Sequence, residues 1–470
     1  MTAIVTNQFR ILNAENFKED VAEAATSVYV GIGKSDVWSL TTSDTTDTTA
    51  FVPYDSLDSI GEAHQNLIGL KLLASSDISH VIPRYTWTSN TSYYAWDSDD
   101  ESIFDKAFYV ITSEFKTYKC IKAGGSVSTI QPTQTLTPPQ TESDGYSWKY
   151  MYTLSVADAE KFLTTSYLPV KTISFIDSDT GVEYVNNAAA EADLSEADYA
   201  QYLNQKASRD DASASGIERI EVTAGGTGYT SKPTVTISGD GTGADVVPAG
   251  VTISGGAVTS ILLNTKGTNY TIADITLSGG GGSDAAARCV ISPISGHGVD
   301  PVKELGAFFI GLNTQLDGNE SGDITVGNDF RQVTLIKNPF NHGTNTISTA
   351  TTLKALRYLD FTSGVTVTDY QVDELIVGGS SGAQAYVTEI NSGTGYIYFH
   401  QNSKTGYTQF TASETITGQT SSTSGSIEAS NFIGDPEIQK GSGSMLFLEN
   451  RDPINRSTTQ IEDIKIIIEF

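Results

Sequence analysis

The stretch Asp329 to Phe340, DFRQVTLIKNPF, sets apolar Phe330, Val333, Leu335 and Ile336 among polar Gln332 and Thr334, then runs into Asn338-Pro339. Proline has no ladder donor and biases its predecessor away from helix, so the pattern predicts a short, half-buried strand closed by a turn. It lies between two Gly/Ser/Thr-rich stretches and is expected to be the central piece of one body interrupted twice. Strand patterns also cover Ala3 to Phe9, Val28 to Ile32, Phe108 to Ile111 with Phe115 to Ile121 as a hairpin-like pair, and Ser147 to Leu154 around Trp148, Tyr150 and Tyr152. The last strand carries Ile464, Ile466, Ile468 and Phe470 on one face, which should tie the carboxy terminus into a sheet.

Helical spacing is rarer. Asn13 is positioned to cap a helix with Phe17, Val21 and Ala25 on one face, and Ser56 or Asp58 to start a second with Ile60, Ala63 or His64, Leu67 and Leu70 as its stripe. Ser155 with Asp158, and Ser195 with Asp198, are capping-box-like starts, the second leading into Tyr199, Tyr202 and Leu203. Thr41 to Thr49 reads as a polar loop.

From Ser213 the chain becomes a series of glycine-punctuated strands with an internal duplication. GTGYTSKPTVTISGDGTGAD from Gly226 matches GTNYTIADITLSGGGGSDA from Gly267, with Tyr229 over Tyr270 and Ile237 over Leu277. Farther on, DELIVGGSSGAQAYVTEI from Asp373 matches SETITGQTSSTSGSIEAS from Ser413. Each unit sets an alternating strand between turns, so two copies can pair and bury a face that neither buries alone. The organisation expected is a core in three parts, residues 1–212, 293–358 and 433–470, with inserted β-repeat domains at 213–292 and 359–432. The fold class expected is mainly β, a β-rich α+β arrangement with a β-sandwich or sheet core, a few short helices and two inserted all-β repeat domains.

Composition agrees with that class: 43 glycines, 22 tyrosines and 18 phenylalanines, with 18% charged residues, favour many short strands over a helical bundle. Charge narrows the partners. A formal net charge of −28 with no Lys/Arg run repels phosphate backbones and anionic lipid, so neither nucleic acid nor membrane is an expected partner. The same acidity keeps a large β protein soluble and discourages edge-to-edge association. Cys120 and Cys289 alone make neither a disulfide framework nor a zinc site, and a reducing assembly compartment is expected. MTAIVTNQFRIL has no basic leader followed by an apolar core, so no signal peptide is expected.

Candidate chemistry is thin. Gly378 to Gly382, GGSSG, fits the G-x-S-x-G serine elbow, but AQAYVTEI after it alternates like a strand where an elbow needs a helix, and the duplicate reads GQTSS. A repeat turn explains the match. Gly279 to Asp284 fits the opening of the calcium-binding G-G-x-G-x-D repeat and Asp240 to Asp245 a degraded version, yet calcium β-rolls need adjacent repeats. Asp97 to Glu101 begins like an EF-hand but lacks its glycine and closing Glu, and reads as a solvated acidic loop. His64, His80, His297, His342 and His400 show no ligand spacing, and Gly296-His297-Gly298 reads as the turn leaving the first insertion. The aromatic run Tyr93-Tyr94-Ala95-Trp96 suits a core or protein interface better than a sugar platform, and Arg331 and Lys337 are expected to pair locally or face a partner. No catalytic, cofactor-binding or metal residue is therefore assigned.

Outside the insertions, seven segments occur in order: AIVTNQFR at Ala3, VGIGKSDVWS at Val30, VIPRYTW at Val81, SDGYSWKYMYTL at Ser143, DFRQVTLIKNP at Asp329, GSMLFLENRDPI at Gly443 and the closing IEDIKIIIEF. Together they resemble the baseplate wedge subunit known as gene product eight of T-even-like contractile-tailed bacteriophages. The resemblance covers about two-thirds of the chain and implies a β-rich, homodimeric virion protein of the tail baseplate, assembled in the host cytoplasm. It further implies contacts with other wedge proteins, peripheral contacts with tail-fibre or baseplate proteins, and neither cofactor nor catalytic residue. The competing expectation is a tail-associated receptor-binding or polysaccharide-degrading protein.

Overall fold

The computed structural model describes residues 3–38, 47–135, 138–172, 182–184, 186–212 and 214–470. Of the predicted loop Thr41 to Thr49, residues 41–46 lie outside these, as does Ser213. The chain is mainly β, with several antiparallel sheets and few helices. It divides into two compact units, the first of residues 1–15, 79–311 and 467–470, the second of residues 16–78 and 312–466.

The second unit is built on a five-stranded sheet in the order Thr352–Lys354, Leu67–Leu72, Val28–Gly33, Asp329–Lys337, Ser444–Asn455. Asp329–Lys337 pairs antiparallel with Val28–Gly33 (Val30↔Leu335) on one side and with Ser444–Asn455 (Thr334↔Leu448) on the other. Burial of its interior on both faces corrects the half-buried expectation. Its polar positions are satisfied inside: Thr334 Oγ1 donates to Gly31 O at 3.4 Å, and Gln332 joins a side-chain amide row. Arg331, only 3% exposed, donates to both Asp47 oxygens and to Asp329, and Lys337 to Asp20 at 2.5 Å, so both cations pair locally. Asn338 ends the strand in the left-handed region at φ 55°.

The helix starting after Ser56 is as expected, with the Ser56 hydroxyl accepting from Ser59 N. It stops at Asn66, however, and Leu67 and Leu70 belong to the next strand, so the predicted stripe spans two elements. Lys440 Nζ covers the freed end, donating to Gln65 O at 2.7 Å. Between Arg357 and Gly434 a seven-stranded sheet forms, with the two copied strands Leu375–Gly378 and Thr415–Gly418 side by side. They pair as Ile376↔Gly418, Val377↔Thr417 and Gly378↔Ile416. The two copies thus meet at equivalent residues, about a local two-fold axis through Val377 and Thr417. The strands by which the chain enters and leaves also pair, Leu359↔Ile433.

In the first unit, Tyr109–Ile111, Lys116–Lys122, Ser147–Thr153 and Gln140–Thr141 form a four-stranded sheet. Trp148, Tyr150, Tyr152, Met151 and Lys149 are all buried, so this strand too is covered on both faces. Ser155 and Ser195 cap their helices from the side-chain oxygen as predicted, and the helix Asn187–Asp193 was not legible as one. At the amino terminus the predicted strand Ala3 to Phe9 is overturned. A helix spans Asn7–Ala22, started by Thr6, whose Oγ1 accepts from Phe9 N at 3.2 Å, and Asn13 lies inside it while Ala25 lies beyond.

The stretch 217–291 is a nested antiparallel arm. Ile217–Thr227 pairs with Ser283–Ile291, Thr234–Gly239 with Ala273–Ser278, Thr242–Asp245 with Thr265–Thr268, and Val251–Ser254 with Ala257–Ile261. Thr236, which aligns with Thr276 in the duplication, also pairs with it, again placing a local two-fold between copies. Tyr229 and Tyr270, 7% and 5% exposed, each fill the space left by a glycine of the other copy. A Cβ on Gly282 would sit 2.5 Å from Tyr229 Cγ, and one on Gly241 2.5 Å from Tyr270 Cδ2.

Candidate functional site

In the second unit, the triplet Lys34-Ser35-Asp36 follows directly on the buried strand Val28–Gly33, and all three residues are buried. Asp36 Oδ2 accepts from Lys34 Nζ at 2.6 Å and is ion-paired to Lys404. Asp36 Oδ1 faces His400 Nε2 at 3.2 Å and Asn402 Nδ2 at 3.0 Å. Because His400 Nε2 faces a carboxylate, it carries the ring proton, and Nδ1 accepts from Thr388 Oγ1 at 2.9 Å. Burial pushes the Asp36 carboxyl up, but the His400 hydrogen bond and the Lys34 charge outweigh it and hold the group far below the ordinary carboxylate range. Burial lowers Lys34 and His400.

Lys34 and Lys404 also line a cleft of about 880 Å³. One side is apolar and open, with Phe51 50%, Tyr407 49% and Leu57 89% exposed. Phe51 meets Trp38 edge to face at 5.1 Å, and Glu62 holds Tyr407 OH at 2.8 Å and Ser403 Oγ at 2.9 Å. The polar side is a row of amides, each donating to the next. Asn402 Nδ2 reaches Asn66 Oδ1 at 3.4 Å, Asn66 Nδ2 reaches Gln332 Oε1 at 3.2 Å, Gln332 Nε2 reaches Asn450 Oδ1 at 2.9 Å, and Asn450 Nδ2 reaches Phe51 O at 2.9 Å.

The first unit holds a second buried charged centre, at the root of the arm. Lys119, on the strand Lys116–Lys122, donates to Glu304 Oε2 at 3.0 Å and stands 3.9 Å over the Trp96 ring. Glu304 Oε1 accepts from the backbone N–H of Gly298 (2.8 Å), Val299 (2.9 Å) and Asp300 (3.1 Å). His297 lies between Glu304 (3.7 Å) and Glu218 of the arm (3.8 Å), too far for direct hydrogen bonds, and Glu218 is held by Lys266 at 2.8 Å. Burial, then the Lys119 charge, lowers His297 to about 4. Burial raises Glu304, but Lys119 and His297 bring it down to about 2.

The residues singled out in the sequence fall into place around these centres. Ser380, at the nucleophile position of GGSSG, is exposed, and a strand, Gln384–Asn391, follows it. Its backbone N–H and that of Ser381 donate to Glu414 Oε2 at 3.1 and 2.9 Å, and Glu374 takes Thr420 and Ser421 at 3.1 and 2.9 Å in the other copy. Each buried Glu therefore clamps the turn of the opposite hairpin. Asp240 accepts from Thr271 N at 2.8 Å and Ile272 N at 3.1 Å, while Asp284 accepts from Ser283 Oγ at 2.9 Å. Among the described residues no three His, Cys, Asp or Glu side chains gather into a metal-holding group.

The acidic stretch Asp97 to Glu101 is less solvated than expected. Asp97 and Asp99 bind Arg288 of the arm, at 2.8 and 3.1 Å through Nη1, and Asp100 binds Lys106. Tyr93 is buried in a core cluster with Trp148, Trp96 donates to Ile291 O at 3.1 Å, and Tyr94 is 56% exposed. His64 and His80 are buried, the latter with Nδ1 3.1 Å from Ala307 O, and His342 pairs with Asp435 at 3.3 Å. Cys120 and Cys289 are free and buried.

Sequence reasoning missed Lys34, Asp36, Lys119 and Glu304. The available signal was charge beside or inside buried strands, as in VGIGKSD and KTYKCIK, but Glu304 lies 185 residues from Lys119, and His400 364 residues from Asp36. No family model matches the chain, and no curated protein matches it. No helix among the described residues is long and apolar enough to cross a membrane.

Proposed function

We propose that the chain is a structural subunit of a phage tail baseplate wedge, a homodimer that links neighbouring wedge proteins and takes part in the rearrangement that triggers tail contraction. The observation that carries this reading is the ordered set of seven body segments, from AIVTNQFR to IEDIKIIIEF, whose likeness is to that family. Several supply buried strands, including Val28–Gly33, Ser147–Thr153 and Asp329–Lys337. A scaffold needs rigid bodies and interfaces with two discrete packings rather than a reacting centre, and it works here without a catalytic step or cofactor. The two β-repeat modules project from the wedge body, toward the baseplate periphery or the fibre proteins.

Cryo-electron microscopy of the parent particle tests the reading directly, with density for this chain expected between wedge proteins at the baseplate. In solution the purified chain should run as a dimer and join the wedge proteins of the same phage, and a variant lacking both repeat modules should still do so. A chain that stays monomeric and apart from wedges while cleaving polysaccharide would favour a receptor-binding or depolymerase role instead.

A further inference from the structure

We propose that the cleft of the second unit between Phe51, Tyr407 and the amide row binds an uncharged saccharide. This goes beyond a scaffolding role and rests on the geometry of the cleft alone. Its volume, about 880 Å³, is in the range that encloses a small ligand. An amide group has two N–H donors and two acceptor lone pairs. Among the described residues, Asn66, Gln332 and Asn450 each spend one donor and one acceptor on the row, which leaves one of each per residue on the lining of the cleft. Neighbouring sugar hydroxyls, each both donor and acceptor, match such an alternating set, and the row fixes the amide orientations before the ligand arrives.

The opposite wall supplies what the C–H face of a sugar ring packs against. Phe51 and Tyr407 are half exposed, and each is held in place, Phe51 against Trp38 and Tyr407 through its hydroxyl to Glu62. Aromatic faces presented this way bury apolar area with little loss of side-chain freedom.

Charge selects the uncharged class. Lys34 and Lys404 are both paired to Asp36 and Glu62 stands on the same cleft, so cations and carboxylates balance there, and the net charge of −28 repels a polyanionic glycan. An apolar peptide segment fits less well, because covering the amides with hydrocarbon would leave their remaining donors and acceptors unpaired.

The test uses the full-length chain and three probe sugars, maltose, lactose and N,N′-diacetylchitobiose, read by saturation-transfer NMR and by Trp38 fluorescence. At least one sugar should bind with a millimolar or tighter dissociation constant, and Tyr407→Ala and Phe51→Ala should each weaken it about tenfold, the worth of one aromatic contact. Both side chains are half exposed, so neither change should impair folding, which circular dichroism checks. No transfer from any of the three sugars, or binding unaltered in both variants, overturns the proposal. So does loss of wedge co-assembly in Tyr407→Ala without sugar binding to the parent chain, which would make the cleft a protein-docking groove.

Discussion

A lysine enclosed as completely as Lys119 keeps its charge only while a carboxylate stays beside it, and Glu304 is that carboxylate. Glu304→Gln should therefore destabilise the first unit by about 3–5 kcal/mol, the cost of leaving a buried cation unpaired. Urea unfolding can be followed by Trp87, Trp96 and Trp148, the three of four tryptophans in that unit. A pH dependence follows from the same cluster. Unfolded, His297 takes its proton near 6.5, but folded only near 4, so between those values the unfolded state binds more protons. The His297 contribution is complete above about pH 6.5 and is lost as the solution is acidified toward 4. A second loss runs from 4.5 to 2 as the depressed Glu304 carboxylate is protonated. His297→Asn should flatten the upper window and narrow the lower one, because His297 shares with Lys119 in holding Glu304 down, as measured by urea midpoints across pH. None of this was legible locally: KTYKCIK reads as a strand with lysines three apart, and only the fold reveals that Lys119 is buried while Lys122 is exposed.

Among the elements, the two repeat modules share one device, a strand paired antiparallel with its own copy at the equivalent residue. The Glu374 and Glu414 clamps are reciprocal, so Glu374→Ala should loosen the turn at Thr420–Ser421, and Glu414→Ala the turn at Ser380–Ser381. Each should cost about 1.5–3 kcal/mol, since charge-assisted hydrogen bonds to part-buried N–H groups vanish. Hydrogen exchange at the affected turn would locate the loss in the hairpin opposite the substitution, and loss in the mutated hairpin alone would contradict the exchange of clamps. In the arm, Gly282→Ala drives a Cβ into the Tyr229 ring and should destabilise it by about 1–3 kcal/mol, seen as faster proteolysis within 217–291. The duplications themselves were plain in the sequence because turn glycines and alternating strands repeat at fixed spacing. The amino-terminal helix was misread because Ala3 to Phe9 carries β-favouring residues, whereas Thr6 and the apolar contacts of Ile11 decide for helix. The central strand looked half-buried because Gln332 and Thr334 are polar, yet their hydrogen bonds allow them to lie inside.

For the whole molecule, the class was readable from turn chemistry and composition, whereas the two charged centres join residues far apart in sequence, beyond the reach of any local pattern. At this scale, removing residues 217–291 and closing the gap with a short glycine linker should leave the rest of the first unit folded. The arm begins and ends in a paired position, Ile217 opposite Ile291. Cooperative unfolding of the shortened chain, monitored at the three tryptophans, is the expected result, weakened by loss of the Arg219 contact to Trp96 O, the Arg288 contact to Asp97 and Glu218 beside His297. The same paired ends bear on how such a chain acquires its shape. Once an arm has zipped from its tip, some seventy residues of contour collapse to the separation of two neighbouring strands, and the host pays only the closure entropy of a short loop. Contacts across each module then cost the body little in folding rate, despite their sequence separation. Paired ends thus let long segments stand between two strands of this chain with little delay to the assembly of the strands around them.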